Sequence, residues 1–158
     1  MRVKAEAILD FGRADDRADN QTVRDYREEY KTLSEILDRQ PEILDLVHRD
    51  LEQLSKATSQ RGRKPTFTSE NLFRAVLVMQ REALDYRQAS VRIAESETLQ
   101  RFCRLLKKQT MDFTLLNRAF AAIRPETWEM MNHVLALRAA DEGTISLEHI
   151  RTDTTVTE

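Results

Sequence analysis

Only three glycines and three prolines punctuate a chain of 158 residues. A sandwich or barrel of short strands needs a turn about every ten residues, and Gly and Pro are the residues that build such turns. So many turns cannot be made here, and the chain is expected to fold mainly as helices. Hydrophobic residues are 41% and charged residues 33%, which allows a modest core and argues against disorder throughout. The length suits one domain, or a domain with arms. Cys103 is the single cysteine, which excludes an internal disulfide and a cysteine zinc site and fits a reducing cytoplasm. No apolar run approaches the roughly 18 residues of a membrane span, and the first ten residues lack the apolar core of a signal peptide.

Apolar spacing places the helices. Val23, Tyr26, Tyr30, Leu33 and Leu37 form one stripe at steps of three and four. Pro41 suits the first turn of a new helix, and Leu44, Val47, Leu51 and Leu54 continue the pattern. These two stripes read as a hairpin that packs on itself and on either the following helices or a second subunit. After a polar linker, Thr68 or Ser69 caps a helix that buries Leu72, Phe73, Val76, Leu77 and Met79. Shorter helices follow from Tyr86, from Ser96 and from about Phe113, and Pro125 opens one more that ends near Gly143. The last stretch, ISLEHIRTDTTVTE, is rich in β-favouring residues and partly alternating, and reads as a strand. A lone strand has no stability of its own. The pattern therefore suggests a truncated chain whose strand opens a further domain; a strand-like tail would look the same.

Charge is distributed unevenly. Residues 1–60 carry 10 Lys and Arg against 14 Asp and Glu, residues 61–124 carry 13 against 6, and residues 125–158 carry 2 against 7. A basic middle of net +7 suggests a segment that meets a polyanion, although a solvated basic face has the same composition. Within it, Arg61-Gly62-Arg63-Lys64-Pro65 is an extended basic peptide of the kind that lies in a narrow A·T-rich minor groove, or a basic linker that binds phosphates only. The short helices after Thr68 resemble helix-turn-helix construction, or a plain bundle with a basic face. Their exposed faces are expected to hold Arg74, Arg81, Arg87, Arg92, Arg101, Arg104, Lys107, Lys108 and Arg118. Arginine suits forked contacts to phosphate or guanine. The helix near Phe113 is the candidate reading helix, with Thr114, Asn117 and Arg118 near its start. Asp153, flanked by β-branched residues on the C-terminal strand, is a candidate metal ligand. Cys103 sits on an apolar stripe, and His48, His133 and His149 lack metal-ligand spacing.

The segment RGRKPTFTSENLFRAVLVMQREALDYRQASVRIAES, with Leu72-Phe73-Arg74-Ala75 and Leu84-Asp85-Tyr86-Arg87 inside it, resembles the N-terminal domain of bacterial insertion-sequence transposases of the DDE class. MDFTLLNRAF resembles the family's next element through Asp112, Thr114, Leu115 and Arg118, and RTDTTVTE resembles the first catalytic strand of its ribonuclease-H-like domain. Lys64 departs from the family's minor-groove motif, and Phe113 stands where many relatives are shorter or polar. The fold implied is mainly α: a helical hairpin, then a multi-helix, helix-turn-helix-like bundle, ending in one strand of a truncated ribonuclease-H-like domain. The implied organisation is a flexible arm at 1–19, the hairpin at 20–57, a basic linker at 58–67, a helical DNA-binding domain at 68–142 and the start of a catalytic domain at 143–158. Arg61, Arg63, Lys64, Arg87, Arg92, Arg104, Lys107, Lys108, Thr114, Asn117 and Arg118 become the expected contacts to double-stranded DNA at the element's terminal repeats, with a homodimer possible and no membrane involved. The resemblance makes Asp153 the first acidic ligand of a two-Mg²⁺ phosphoryl-transfer site. Mg²⁺ is expected in the full-length enzyme, and none on this chain, which would bind DNA without cutting it. A stand-alone helix-turn-helix regulator and a helical interaction module are the alternative readings.

Overall fold

The structure is a computed structural model and describes residues 3–5, 20–56, 66–105 and 109–141. Among these residues are seven helices and no strand. They are α1 (Gln21–Asp38), α2 (Pro41–Lys56), α3 (Ser69–Arg81), α4 (Tyr86–Glu95), α5 (Glu97–Phe102), α6 (Phe113–Ala122) and α7 (Pro125–Asp141). No described helix is long and apolar enough to cross a membrane. The expected C-terminal strand, the basic linker and most of the N-terminal arm lie outside the described residues. The chain divides into two units, 1–124 with α1 to α6 and 125–158 with α7.

Helix starts follow local chemistry. A capping side chain satisfies one of the backbone N–H groups that the first turn leaves unpaired. Asn20 accepts from Val23 N at 3.0 Å, and Ser96 from Leu99 N at 3.3 Å. Thr68 and Asp85 form reciprocal boxes with Asn71 and Gln88. Two further N–H groups of α3 are satisfied from afar, Ser69 by Val3 O at 3.0 Å and Glu70 by Lys4 O at 3.1 Å. The beginning of the expected flexible arm is thus tied to the start of α3, and Lys4 also pairs with Asp45 of α2.

α3 is the centre of the first unit, with α2, α4 and α6 against it. It is covered nearly all round: Leu72, Ala75, Val76 and Val78 are at 0% exposure, and Ser69, Glu70, Asn71 and Arg74 are buried with them. Leu77, expected inside, is only half-buried. α2 contributes Ile43, Val47 and Leu51, so its buried stripe runs through Ile43 and not the expected Leu44, which is half-buried. On α1 the buried residues are Tyr30 and Ser34, while Leu33 and Leu37 are half-buried. α1 packs on α5, where the Tyr30 and Phe102 rings meet edge-on at 5.0 Å.

Arg74, expected on an exposed basic face, is 1% exposed. Its guanidinium donates to Glu70 at 3.0 Å, to Ser34 at 2.9 Å, to Asp38 at 2.8 Å and to the Phe102 carbonyl at 3.3 Å. Burial, with the charge of Arg104, lowers its pKa against the pull of Glu70 and Asp38. A buried charge persists only when paired and hydrogen-bonded, and here α1 and α3 supply the carboxylates. In α2, Asp50 is likewise at 0% exposure and accepts from Arg124 N at 3.0 Å and Arg124 Nε at 2.7 Å.

In the second unit, α7 begins at Pro125 with Glu126 in its first turn, and its apolar residues spread around the helix with no single face. Met130 and Leu137 are exposed.

Candidate nucleic-acid interface

α4 and α6 pack on each other, and among the described residues they carry the exposed members of the expected DNA contacts. α4 buries Ala89 and Ile93 and turns Arg87, Gln88, Val91 and Arg92 outward. α6 buries Leu116 and Ala119 and exposes Thr114, Asn117 and Arg118. The pair is pinned at the start of α6: Ser90 Oγ donates to the Met111 carbonyl, and the Tyr86 and Phe120 rings lie 6.4 Å apart.

Two features of this face were not read from the sequence. Arg87 stacks on Phe113, its Cζ 4.8 Å from the ring centroid, and the ring remains 38% exposed at the start of α6. Val91 is 63% exposed. Val91 stands one helical turn from Arg87 on α4, so the cation has apolar surface on its own helix and on α6, a combination suited to base and sugar surfaces as well as phosphate. The available signal was Phe113 itself, an aromatic residue at the first position of a polar helix start.

The first turn of α6 is already occupied by an anion. Asp112 caps the helix, accepting from Thr114 N at 2.6 Å and from the Thr114 hydroxyl. These hydrogen bonds, the hydroxyl's first, hold its carboxyl below the usual range. A phosphate at this helix end would meet that charge, and the Thr114 hydroxyl is engaged by its own cap, while Asn117 and Arg118 remain exposed on the same helix.

The remaining cations differ in how far they are neutralised. Arg92 donates through Nε to Glu82 at 3.2 Å. Arg81 pairs with Glu29, and Arg101 with Glu97. Arg104, expected at the interface, sits at φ 54° just after α5 and bonds Glu70 at 2.7 Å and Asp38 at 2.6 Å, with 19% of its side chain exposed. The left-handed region costs a non-glycine residue roughly 1–2 kcal/mol, and the two charged hydrogen bonds offset it. Among the described residues, Arg87 and Arg118 make no ion pair. Arg61, Arg63, Lys64, Lys107, Lys108 and Asp153 lie outside the described residues.

No three His, Cys, Asp or Glu side chains converge among the described residues as a metal ion would require. Cys103 is fully buried, and burial pushes its thiol well above the ordinary value, which suits a packing residue and not a nucleophile.

A family model described as Transposase domain (DUF772) matches residues 22–122, from the first turn of α1 to the last residue of α6. Neither a curated protein nor a solved structure matches the chain.

Proposed function

The chain belongs to the DUF772 transposase-domain family, and from that premise we propose that its first unit is the DNA-binding part of a DDE transposase acting on the ends of an insertion sequence. The observation that carries the reading is the exposed face of α4 and α6, where Arg87, Phe113, Asn117 and Arg118 stand together on helices inside the family match. The basic peptide Arg61, Arg63 and Lys64 lies between α2 and α3 in sequence and, in this proposal, supplies minor-groove contacts, and Lys107 and Lys108 add phosphate contacts. Asp153 is the first of the carboxylates that would hold Mg²⁺. A homodimer on the element's two ends is part of the same proposal.

Fluorescence anisotropy with the 158-residue chain and a labelled duplex tests the DNA-binding reading. Affinity is expected to fall steeply from low to physiological salt, as released counterions dictate. Binding that ignores salt, or no binding at low salt, overturns it. Incubation with Mg²⁺ or Mn²⁺ should leave the duplex intact, and cleavage by this chain would refute the catalytic half of the proposal.

A further inference from the structure

Glu82 is the C-cap residue of α3, and Ala83 after it takes φ 51° as the backbone turns towards α4. Its carboxylate gathers donors from two other helices. Tyr26 and Tyr30 of α1 both donate to Oε1, Tyr30 at 2.9 Å, and Arg92 Nε of α4 donates to Oε2 at 3.2 Å. The Glu82 side chain is 16% exposed and that of Arg92 is 53% exposed. An ordinary surface pair of two long side chains is mobile and contributes little. This carboxylate is held, because Tyr30 is 2% exposed and wedged between the Tyr26 and Phe102 rings. Glu82 engages Arg92 through Nε, and the Tyr26 hydroxyl also interacts with the guanidinium. The terminal amino groups, the part of the fork that grips phosphate, belong to a half-exposed side chain.

We propose that Glu82, anchored by Tyr26 and Tyr30, is a positioning residue that holds Arg92 as a preformed clamp for a backbone phosphate of duplex DNA. The inference rests on the DNA-binding reading above and adds a residue of the wrong charge to it. Burial acts to raise the Glu82 pKa, but the hydrogen bonds from Tyr26, Tyr30 and Arg92 outweigh it and leave the group below its ordinary value. It is therefore an anion at neutral pH. If Glu82 were a bystander, removing its charge would strengthen binding to a polyanion. If it positions Arg92, removing it weakens binding, because the guanidinium then loses its fixed geometry. The two roles predict opposite signs.

The test is anisotropy on one duplex across a salt series, with the full chain and the variants Arg92→Ala, Glu82→Gln and the double variant. Gln keeps the shape but turns a donor or a weaker acceptor towards Arg92. Arg92→Ala should lower the slope of log affinity against log salt by about 0.9, one phosphate contact. Glu82→Gln should weaken binding by ~3-fold or more, and that loss should vanish in the Arg92→Ala background, the mark of coupled residues. Equal or tighter binding by Glu82→Gln overturns the inference, as does an equal loss in both backgrounds. Thermal unfolding checks each variant. Should Glu82→Gln fail to fold, Tyr26→Phe removes one anchor and should weaken binding only where Arg92 is present; unchanged binding overturns the inference. If the unaltered chain does not bind duplex, the DNA-binding reading falls and this inference with it. If it binds and Glu82→Gln binds as tightly, this inference alone falls.

Discussion

Arg74 and Arg87 stand on consecutive helices of the basic middle, and a sequence pattern treats them alike. Arg74 is 1% exposed, bonded to side chains of α1 and α3 and lying 5.2 Å from the centre of the Phe102 ring. Arg87 is exposed and stacks on the exposed Phe113 ring. Position along the chain does not separate them; the acidic hairpin does. Asp38 and Glu29 of α1 take Arg74, Arg104 and Arg81, and Asp50 of α2 takes Arg124. Much of the contrast between an acidic start and a basic middle is therefore charge complementarity inside one unit. The +7 of residues 61–124 overstates the basic charge left outside these ion pairs.

The largest expected effect separates these two arginines. Arg74→Ala should cost about 3–5 kcal/mol in urea unfolding, because it empties a core site and leaves the buried Glu70 carboxylate and the Ser34 hydroxyl one partner short. Arg87→Ala should cost about 1 kcal/mol or less, the scale of an exposed cation–π contact, yet weaken duplex binding and flatten its salt dependence. An Arg74→Ala protein of normal stability would break the comparison. So would an Arg87→Ala protein with unchanged DNA affinity.

Helix ends were legible because their causes are local. Pro41, Thr68, Ser96 and Asp112 act within one turn, and each stands at the start that its neighbours suggest. Buried faces were less legible. In α2, counting apolar residues favours Leu44, but α3 and α6 both press on the helix and bring Ile43 and Asp50 inside. Burial of Arg74 was not legible at all, since Asp38 lies 36 residues away. The Glu82 cluster was hidden for the same reason: Tyr26 and Tyr30 look like stripe residues until α3 ends beside them. At the candidate interface, the outward residues of α4 and α6 followed from spacing, whereas the contact of Arg87 with Phe113 joins two helices separated by α5.

A second pair of substitutions sharpens the comparison within the hairpin. Leu51 is at 0% exposure between α2 and its neighbours, and Leu51→Ala should cost about 2–5 kcal/mol. Leu37 is half-buried on α1, and Leu37→Ala should cost about 1 kcal/mol, closer to partial loss of apolar area than to a core cavity. Equal large losses at both sites, measured at a chain concentration where the protein is monomeric, would mean that α1 is covered more fully than its exposure indicates. A Leu37 loss that appears only at high concentration would assign that side of α1 to a subunit contact.

The smallest effect distinguishes the two arginine sites by pH. Carboxylates, a serine hydroxyl and a backbone carbonyl hold the Arg74 guanidinium, whereas the Arg92 site is tied through Glu82 to two phenols. Burial, then the hydrogen bond to Glu82, raises Tyr26 from the ordinary 10.0 to about 12, and the same causes push Tyr30 further up. A phenol whose folded pKa lies above its unfolded one binds its proton more tightly in the fold. Its contribution is complete below pH 10 and is lost as pH rises through about 12. Glu82 works in the opposite sense. Its folded pKa is depressed, so its contribution is present above the unfolded value of 4.5 and is lost as pH falls through the lower folded one. Stability of the chain should thus decline on the alkaline side between pH 10 and 12, and Tyr26→Phe should remove part of that slope while leaving the acid side steeper than it would be without Glu82. Other groups also titrate at high pH, so the measurement is the difference between the two proteins at each pH, followed by urea unfolding. Parallel curves for the unaltered chain and Tyr26→Phe from pH 9 to 12 would show that the phenol does not hold Glu82 in solution, and the fixed geometry of Arg92 would lose one of its two anchors.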